Sequence, residues 1–347
     1  MSAGRLHFVI PGDIQTPTGG YGYDRQVADG LRGLGWHVAI VALPDGFPEP
    51  DEAALRGTER AFAGLPDAAL VLVDGLALAR IPDIARRHAT RLRLAALVHH
   101  PLADEGGLPE GTRTVFEHDE IAALKHARLV ICTSKTTGRR LIDHFGVSPD
   151  NIRVAPPGTK RKKKLTKGRT CNVILCVASI VPRKGHDVLI AALAELRDLD
   201  WSARFVGPVR DAAWLTQLED QAARAGIADR IIFVGAVADP ADEYARAGIF
   251  ALATRHEGYG MAFAEALAAG LPIVGCAVGA VPEVVPPDAG GLVQPGDPHA
   301  FAEMLRRLLS NPEIYERAAS GARRAAQSLP CWEETVKIIA DTLREID

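Results

Sequence analysis

Short apolar segments alternate with helix-type segments along the whole chain, and this alternation constrains the fold more than any other feature. In the first half, apolar runs occupy residues 6–10, 37–42, 69–73, 92–98 and 129–132, with helical stretches at 23–34, 52–63, 77–88 and 114–126. In the second half, such runs occupy residues 173–178, 203–206, 231–234, 249–253, 272–275 and 291–293. Strands that alternate with helices form parallel sheets with helices on both faces, so the sequence predicts an α/β fold.

The length and composition of the chain are those of an ordinary globular protein. At 347 residues it is expected to form about two domains. Hydrophobic residues make up 47% and charged residues 24% of the sequence, which is typical of soluble proteins. The net charge of -3 argues against a nucleic-acid-binding protein, because nothing global would attract the chain to a polyphosphate.

The cysteines and the N-terminus bear on the cellular compartment. The five cysteines, at positions 132, 171, 176, 276 and 331, lie mostly in apolar runs and lack paired metal-type spacing. We expect buried thiols in a reducing compartment, with zinc ligation or disulfides as the alternatives. The apolar run 6–10 is too short for a signal sequence or a membrane span. The sequence therefore favours a cytoplasmic protein.

Residues 254–272 combine two carboxylates with a glycine-flanked turn between a strand and a helix. Glu257 falls in the turn and Glu265 in the helix, while Gly258 and Gly260 leave the first helical turn without side chains. Its amide groups can therefore approach an anion such as a diphosphate. A carboxylate such as Glu265 can accept hydrogen bonds from both hydroxyls of a ribose, and Glu257 from the hydroxyls of a sugar. Two solvated helix carboxylates would show the same spacing, and this is the alternative interpretation.

Four motifs in this region occur in the order of one enzyme family: Glu257-Gly-Tyr-Gly, Glu265-Ala, Ala269-Gly-Leu-Pro and Pro282-Glu-Val-Val. With them the chain resembles the retaining glycosyltransferases of family 4. The resemblance implies the GT-B fold, in which two facing Rossmann-like domains with parallel sheets enclose an interdomain cleft. It also implies that the second domain binds a nucleotide-sugar, with backbone amides from Tyr259 to Met261 holding its diphosphate or sugar.

The same resemblance organises the chain into domains. The boundary is expected near Pro156-Pro157-Gly158. Residues 1–157 would form an acceptor-side domain, and residues 158–330 the nucleotide-sugar-binding domain. Because the last helix of this family crosses back to the first domain, residues 331–347 are expected to pack on the N-terminal domain.

A glycine-rich loop follows the first predicted strand, at residues 11–22. Such a loop lets backbone amides approach a substrate or phosphate oxygen, although a flexible turn would have the same composition. The dinucleotide-binding spacing Gly-x-Gly-x-x-Gly is absent, which disfavours a nicotinamide dehydrogenase. The order Gly-Gly-Tyr-x-x-Asp-Arg is similar to the N-terminal signature of the family, so Gly19 and Gly20 are expected to face the donor across the cleft, and Tyr23 the acceptor side.

Two histidines, His99 and His100, follow the buried run 92–98. An imidazole at a strand end can hydrogen-bond a sugar hydroxyl or stabilise charge, although a packing role is the common alternative. By resemblance, His99 would lie against the reacting sugar, and His100 is kept as an acceptor-side candidate. Residues 117–120, which read Glu-His-Asp-Glu, are interpreted as a solvated helix face, with a metal site as the alternative.

Arg183 and Lys184 follow the predicted strand 173–178 and precede Gly185. A cationic pair beside a helix start is a candidate clamp for a diphosphate, since Arg offers a planar fork and Lys a point charge. The pair also matches the Lys-Gly motif of the family, whereas a surface pair without function is the alternative. The family usually has Gly-Arg just upstream, where this chain has Ala178-Ser179. Either Arg183 supplies the missing guanidinium or the diphosphate is bound more weakly.

A basic run begins at Lys160 and ends at Arg169, where the family usually has an acidic residue. Each Lys or Arg near an anionic membrane contributes about 1 kcal/mol of attraction, so the run is a candidate for peripheral contact with the inner membrane face. A solvated interdomain loop is the alternative.

These observations together predict a retaining glycosyltransferase that moves a hexosyl group from a UDP-, GDP- or ADP-linked sugar to a hydroxyl acceptor. His99, Glu257, Arg183 and Lys184 are its candidate catalytic residues. Because no Asp-x-Asp motif occurs among the candidate sites, cationic side chains and helix dipoles are expected to replace a metal, and no cofactor is expected. A nucleotide-sugar epimerase or hydrolase and a non-catalytic nucleotide-sugar sensor remain alternatives. The acceptor could be a lipid, a glycan or a small metabolite.

Overall fold

The computed structural model describes residues 4–160 and 172–347. The chain forms two compact units, Met1–Gly158 together with Pro330–Asp347, and Thr159–Leu329. Within the described residues, each unit is built around a six-stranded sheet whose neighbouring strands are parallel. The prediction of an α/β architecture with two parallel sheets is therefore confirmed.

The first unit contains strands β1 (Arg5–Pro11), β2 (His37–Leu43), β3 (Leu70–Asp74), β4 (Arg93–Val98), β5 (Leu129–Cys132) and β6 (Ile152–Val154). Between them lie α1 (Gly19–Gly33), α2 (Glu52–Ala63), α3 (Gly75–Leu78), α4 (Pro82–His88), α5 (Glu110–Leu124) and α6 (Lys135–Asp143). The strand order is β2-β1-β3-β4-β5-β6, so the direction of winding reverses between β1 and β3. In open parallel sheets, ligands bind in the crevice at the carboxyl ends of the two strands where this reversal occurs.

Strand β1 shows why helices cover both faces of this sheet. Leu6, Phe8 and Ile10 are fully buried in one apolar cluster, whereas Val9 is fully buried in a different cluster. Successive side chains of a strand point to opposite faces. Since both sets are apolar and buried, both faces require a helical layer, and this produces the near-continuous hydrophobic runs seen in the sequence.

The second unit contains strands β7 (Val173–Val177), β8 (Ser202–Val206), β9 (Ile231–Gly235), β10 (Ile249–Leu252), β11 (Ile273–Cys276) and β12 (Gly290–Val293). Its helices are α7 (His186–Ala194), α8 (Ala212–Arg224), α9 (Ala241–Arg246), α10 (Met261–Ala268), α11 (Val281–Val284), α12 (Pro298–Ser310) and α13 (Pro312–Ala325). The strand order is β12-β11-β10-β7-β8-β9, and the winding reverses between the neighbouring strands β7 and β10.

The last helix, α14 (Trp332–Arg344), belongs to the first unit and packs against α1. Its apolar face joins the cluster beneath β1 through Val336, Ile339 and Leu343. The contact is close at Gly30, where a Cβ atom would lie 2.3 Å from Val336 Cγ2. A side chain at position 30 would therefore push α14 away from α1.

Three local features differ from the sequence-based expectations. The predicted helix 77–88 is two helices, α3 and α4, because Pro82 lacks the amide needed to continue the first and instead starts the second. The three-residue edge strand β6 was not predicted, since its sequence is too short for a periodic signal. Helix α1 begins at Gly19 rather than at residue 23, because Thr18 caps it by accepting a hydrogen bond from the Tyr21 amide at 3.2 Å.

The cysteine thiols of the described part form no disulfide, and three of them, Cys132, Cys176 and Cys276, are buried. Burial raises the pKa of Cys176 to about 12, so this thiol stays protonated at neutral pH. Across residues 4–160 and 172–347, none of the helices combines the length and the apolar character required to span a bilayer.

Candidate functional site

The turn from β10 to α10 occupies residues 253–260 and is fixed by close backbone contacts. Gly279 has a φ of +49°, and a Cβ atom there would lie 2.0 Å from the Glu257 carbonyl oxygen, which also accepts a 3.0 Å hydrogen bond from the Ala280 amide. Gly260 has a φ of +95° and precedes α10 without a side-chain cap. The first-turn amides of α10 therefore lack a capping side chain, as an anion-binding helix start requires.

Lys184 and Glu257 form an ion pair at this turn, with 2.6 Å between Lys184 Nζ and Glu257 Oε1. The two residues follow β7 and β10, the strands between which the winding reverses, and both side chains are largely buried. Gly185 makes the approach feasible because a Cβ atom at this position would lie 1.9 Å from the Ala253 carbonyl oxygen. Any other residue would separate the two strand ends.

The charge state of Glu257 follows from its neighbours. Burial alone would raise the pKa of this carboxyl, but the positive charges of Lys184 and then Arg183 hold the pKa below its usual value. Arg183 lies at the same turn, because its Nη1 donates a 3.0 Å hydrogen bond to the His256 carbonyl oxygen. The structure thus brings together Arg183, Lys184 and Glu257, three residues that the sequence predicted for one site.

Glu265 lies on α10, half-buried, and accepts a 2.9 Å hydrogen bond at Oε2 from the Tyr244 hydroxyl. Tyr244 is buried on α9, and burial together with the Glu265 charge raises its pKa well above 10, so it remains a hydrogen-bond donor. This support was not predicted, since a tyrosine in a short helix 21 residues upstream carries no local signal.

The other predicted donor-site residues also surround this turn. Gly258, Tyr259 and Met261 are half-buried there. The pKa of Tyr259 is raised to about 12 by burial and, to a smaller extent, by the charge of Glu283. Its hydroxyl therefore acts as a neutral group that both donates and accepts hydrogen bonds.

In the first unit, His99 lies at the carboxyl end of β4 and contacts two buried carboxylates. Its Nε2 is 3.0 Å from Asp24 Oδ1 and 3.5 Å from Asp74 Oδ2. One ligand-type atom from each of these three residues lies within 4.8 Å of the others, so the set could also hold a metal ion. The sequence predicted His99 as a site residue, and it included Asp24 in the N-terminal signature without giving it a role. It gave no indication of Asp74, which directly follows the predicted strand 69–73.

The glycines of the N-terminal signature are placed differently from each other. A Cβ atom on Gly20 would lie 3.4 Å from His99 Cδ2, so Gly20 covers one edge of the imidazole. Gly19 is exposed at the start of α1 and has open space around it.

The expectation that Tyr23 contacts the acceptor is wrong. Tyr23 is fully buried, its hydroxyl donates a 2.8 Å hydrogen bond to the Ala155 carbonyl oxygen, and its ring packs edge-on against His99. It has no surface on which an acceptor could bind. Its position instead helps to fix the orientation of the His99 ring.

His100 pairs with Glu105, with 3.0 Å between His100 Nε2 and Glu105 Oε2, and both side chains are partly exposed.

The interpretation of residues 117–120 as a solvated face is wrong for Glu120, which is buried and accepts a 2.8 Å hydrogen bond from the Leu102 amide. Burial raises the pKa of Glu120 to about 8. Glu120 therefore anchors the loop that follows His100.

A depression of about 480 Å³ lies at the carboxyl ends of β1 and β2. It is lined by Gly12, Asp13, Ile14, Ile40, Ala42, Leu43, Pro44 and Asp45. It is open to solvent and not an enclosed cavity. The lining is apolar with two carboxylates and contains no Lys or Arg.

The basic run that begins at Lys160 lies, apart from that exposed first residue, outside the described residues.

Two family descriptions match the chain. Residues 23–162 match the family described as Glycosyltransferase Family 4, and residues 158–325 match the family described as Glycosyl transferases group 1. The second match contains the turn with Glu257 and the cations that face it.

Curated relatives and solved structures agree with these matches. The MMP alpha-(1->4)-mannosyltransferase of Mycolicibacterium hassiacum is 30% identical over 308 residues, covering 83% of this chain and 73% of that protein. A D-inositol 3-phosphate glycosyltransferase of Streptomyces bingchenggensis is 28% identical over 290 residues, covering 77% of this chain and 62% of that protein. The chain thus spans less than two thirds of the length of the latter relative.

Two solved structures are similar over nearly the whole chain. Sucrose-phosphate synthase from Thermosynechococcus elongatus has a TM-score of 0.82 at 21% identity, covering 99% of each chain. The Anabaena protein HepE, solved with UDP and glucose, has a TM-score of 0.76 at 18% identity, covering 98% of this chain and 99% of that one. Together with the motif order of residues 257–285 and the two parallel sheets, these similarities show that the chain belongs to the family 4 glycosyltransferases and has their GT-B fold.

Proposed function

We propose that the chain is a retaining glycosyltransferase that moves a hexosyl group from a nucleoside-diphosphate sugar to a hydroxyl acceptor. The observation that carries the proposal is the ion pair of Lys184 and Glu257 at the reversal point of the second sheet. Arg183 lies at the same turn, and Glu265 is on the helix that follows. The carboxyl ends of these strands thus bring together cations, carboxylates and the start of a helix. Such a set suits a nucleoside-diphosphate sugar, which has a central diphosphate and hydroxyl groups at both ends.

The donor would be held by groups of different chemistry along its length. Glu265, oriented by the Tyr244 hydroxyl, would accept hydrogen bonds from the two ribose hydroxyls. The amides from Tyr259 to Met261 and the guanidinium of Arg183 would hold the diphosphate. Glu257 uses Oε1 for Lys184, so its carboxylate would offer its other oxygen to the hydroxyls of the transferred sugar.

The leaving diphosphate gains negative charge as the glycosidic bond breaks, so catalysis needs fixed positive charge beside it. Arg183, Lys184 and the start of α10 would supply this charge without a metal. The departing phosphate oxygen would take the proton of the acceptor hydroxyl, which attacks the same face of the sugar, and the anomeric configuration would be retained. His99 would lie against the reacting sugar.

For the acceptor, the depression at the ends of β1 and β2 favours an uncharged molecule. Asp13 and Asp45 would accept hydrogen bonds from hydroxyl groups, whereas a phosphorylated acceptor would meet two carboxylates in a lining without Lys or Arg. Turnover assays that compare acceptors with and without a phosphate test this preference.

Sedimentation with vesicles of anionic or neutral lipid tests the peripheral membrane contact proposed for the basic run that begins at Lys160.

A two-step experiment tests the central proposal. Thermal unfolding is first measured with UDP-, GDP- and ADP-hexoses, since a ligand at 100 times its Kd stabilises the fold by about 2.7 kcal/mol. The stabilising donor is then incubated with hydroxyl acceptors, with and without EDTA, and the anomeric configuration of the product is read by NMR. A glycoside of inverted configuration would contradict the retaining mechanism, and loss of activity with EDTA would contradict metal independence.

The remaining outcomes separate the alternatives. Free sugar or an isomer formed from the donor alone would indicate a hydrolase or an epimerase. Binding without turnover on any acceptor would indicate a sensor. Asp198→Asn, which breaks the 2.6 Å pair with Arg306 elsewhere in the same unit, is the control and should leave donor binding unchanged.

A further inference from the structure

The guanidinium of Arg255 joins the two chain segments that meet at the reversal point of the second sheet. Arg255 lies in the turn after β10, and Asp187 lies in the first turn of α7, which follows β7. Arg255 Nη1 donates to Asp187 Oδ1 at 3.0 Å, and Nη2 donates to Oδ2 at 2.6 Å. Arg255 Nη1 also donates to the Pro182 carbonyl oxygen. A bidentate contact of this kind fixes the direction of approach as well as the distance.

Neighbouring contacts link the same two segments. The Arg255 amide donates a 2.8 Å hydrogen bond to the Arg183 carbonyl oxygen, and Arg183 Nη1 donates one of 3.0 Å to the His256 carbonyl oxygen. Lys184 and Glu257, the next residue of each segment, form the 2.6 Å ion pair described above. A shift of the turn relative to the start of α7 would therefore change all of these contacts together.

Asp187 lies on a well-anchored part of the unit. The three residues that follow it, 188–190, are buried in the apolar core, and Gln221 Nε2 on α8 donates a 2.9 Å hydrogen bond to the Asp187 carbonyl oxygen. The turn 253–260 is already held at Glu257 by its close backbone contact with Gly279. The pair with Asp187 holds the earlier part of the turn to α7.

Arg255 is a cation two residues from Glu257, so a direct contact with the donor diphosphate is the alternative role. Its two terminal nitrogens, however, already donate to Asp187 and Pro182. The side chains of Arg255 and Asp187 are 36% and 27% exposed, and the negative charge of the carboxylate offsets that of the guanidinium. The pair is therefore better suited to hold the turn than to attract an anion.

We propose that Asp187 and Arg255 are positioning residues, which hold the turn 253–260 against α7 in the register that aligns Lys184 with Glu257. In this role neither residue contacts the donor, and both act on it through Lys184 and Arg183. The inference deepens the proposed function and rests on that function for the identity of the ligand.

A double-mutant cycle tests the positioning role without any ligand. Arg255→Lys keeps the positive charge but lacks the planar fork, so it removes the alignment without changing the charge of the site. Urea unfolding at pH 8 compares wild type, Arg255→Lys, Lys184→Met and the double variant. We expect Lys184→Met to lower the stability by about half as much or less in the Arg255→Lys background, because the contact that it removes is already misaligned.

The control for this cycle is Arg306→Lys. Arg306 makes the same bidentate contact with Asp198, at 2.6 and 3.0 Å, elsewhere in the unit. Its effect on stability should add to that of Lys184→Met. Additive effects of Arg255→Lys and Lys184→Met would overturn the proposal.

Nucleotide affinity distinguishes positioning from direct contact. Calorimetry with UDP, GDP and ADP on the full chain first identifies the nucleotide that binds. Asp187→Asn removes a negative charge, which by electrostatics alone would strengthen the binding of an anion. We expect the opposite, a rise of about tenfold in Kd for Asp187→Asn and for Arg255→Met, and no further rise when the two are combined.

The other outcomes of this measurement are equally informative. Unchanged or tighter binding in Asp187→Asn would overturn the proposal, as would a loss in Arg255→Met that far exceeds the loss in Asp187→Asn, because Arg255 would then contact the nucleotide itself. If Asp187→Asn does not fold, Arg255→Lys should raise Kd in its place, and unchanged affinity would overturn the proposal. Asp198→Asn is the control and should leave Kd unchanged. If no nucleotide binds the wild type, the proposed function fails, whereas the unfolding cycle still decides the positioning role.

Discussion

Replacing Lys184 with Met should destabilise the second unit by an amount that increases with pH. In the wild type, Lys184 Nζ is 2.6 Å from Glu257 Oε1, with side-chain exposures of 16% and 9%. At an effective dielectric constant of about 20, this separation gives a gross attraction of about 6 kcal/mol. Most of this attraction offsets the desolvation of the two charges. The measurable quantity is therefore the net loss of folding stability when one partner is removed.

That cost comes from the carboxylate left behind. Breaking a buried pair usually costs about 3–5 kcal/mol, and because Arg183 still lies at the turn, we expect about 3 kcal/mol at pH 8. In the wild type the pKa of Glu257 is depressed, so the pair stabilises the fold above the unfolded pKa near 4.5, and this is lost as pH falls. In Lys184→Met, burial would favour the protonated carboxyl, so the difference in stability between variant and wild type should shrink as pH falls below the unfolded pKa.

Urea unfolding at pH 5 and pH 8, followed by circular dichroism, measures this difference. Lys184→Met combined with Glu257→Gln should recover most of the lost stability, because neither charge then remains buried alone. Asp198→Asn, which breaks a pair with Arg306 in the same unit, should leave nucleotide-sugar binding unchanged. A loss below about 1 kcal/mol in Lys184→Met, equal at both pH values, would refute the reasoning.

Three further outcomes are expected. Glu265→Gln should weaken nucleotide-sugar binding by about 1.5–3 kcal/mol in calorimetry, the usual contribution of a charged hydrogen bond, and unchanged affinity would contradict its assignment. The pKa of Glu120 is raised to about 8 by burial, so its favourable contribution to folding is complete below the unfolded pKa near 4.5 and is lost as pH rises towards 8. Glu120→Gln should therefore gain stability relative to the wild type over this range, by at most about 1.4 kcal/mol per pH unit in urea unfolding; a constant difference would argue against it. Gly30→Ala should lower the stability measured by thermal unfolding by about 1–2 kcal/mol, because the new methyl would lie 2.3 Å from Val336 Cγ2. Adding Val336→Ala to this variant should recover the lost stability.

The sequence predicted those features that depend on local periodicity and on the general geometry of parallel sheets. Glu257 and Lys184 are 73 positions apart, yet each follows an apolar run, and strand ends of a parallel sheet meet at one edge. Their meeting could therefore be expected, whereas the direct ion pair could not, because it depends on side-chain conformations. The break at Pro82 could have been predicted from the residue alone.

Buried polar partners were beyond prediction for a different reason. Asp24 belongs to the N-terminal signature, but the signature does not show that this carboxylate pairs with His99, 75 residues away. Tyr244 supports Glu265 from a separate helix. Such pairs follow from the packing of whole elements, so a single sequence contains no local pattern that marks them.

The backbone around Glu257 leaves very little space between the segments that meet there. Gly185 lies against the carbonyl group of Ala253, and Gly279 lies against that of Glu257 itself. An inserted residue, or a side chain at either glycine, would force these chain segments apart and break the Lys184 contact. Changes in donor preference among proteins with this turn should consequently arise by exchange of the side chains around it, at constant loop length.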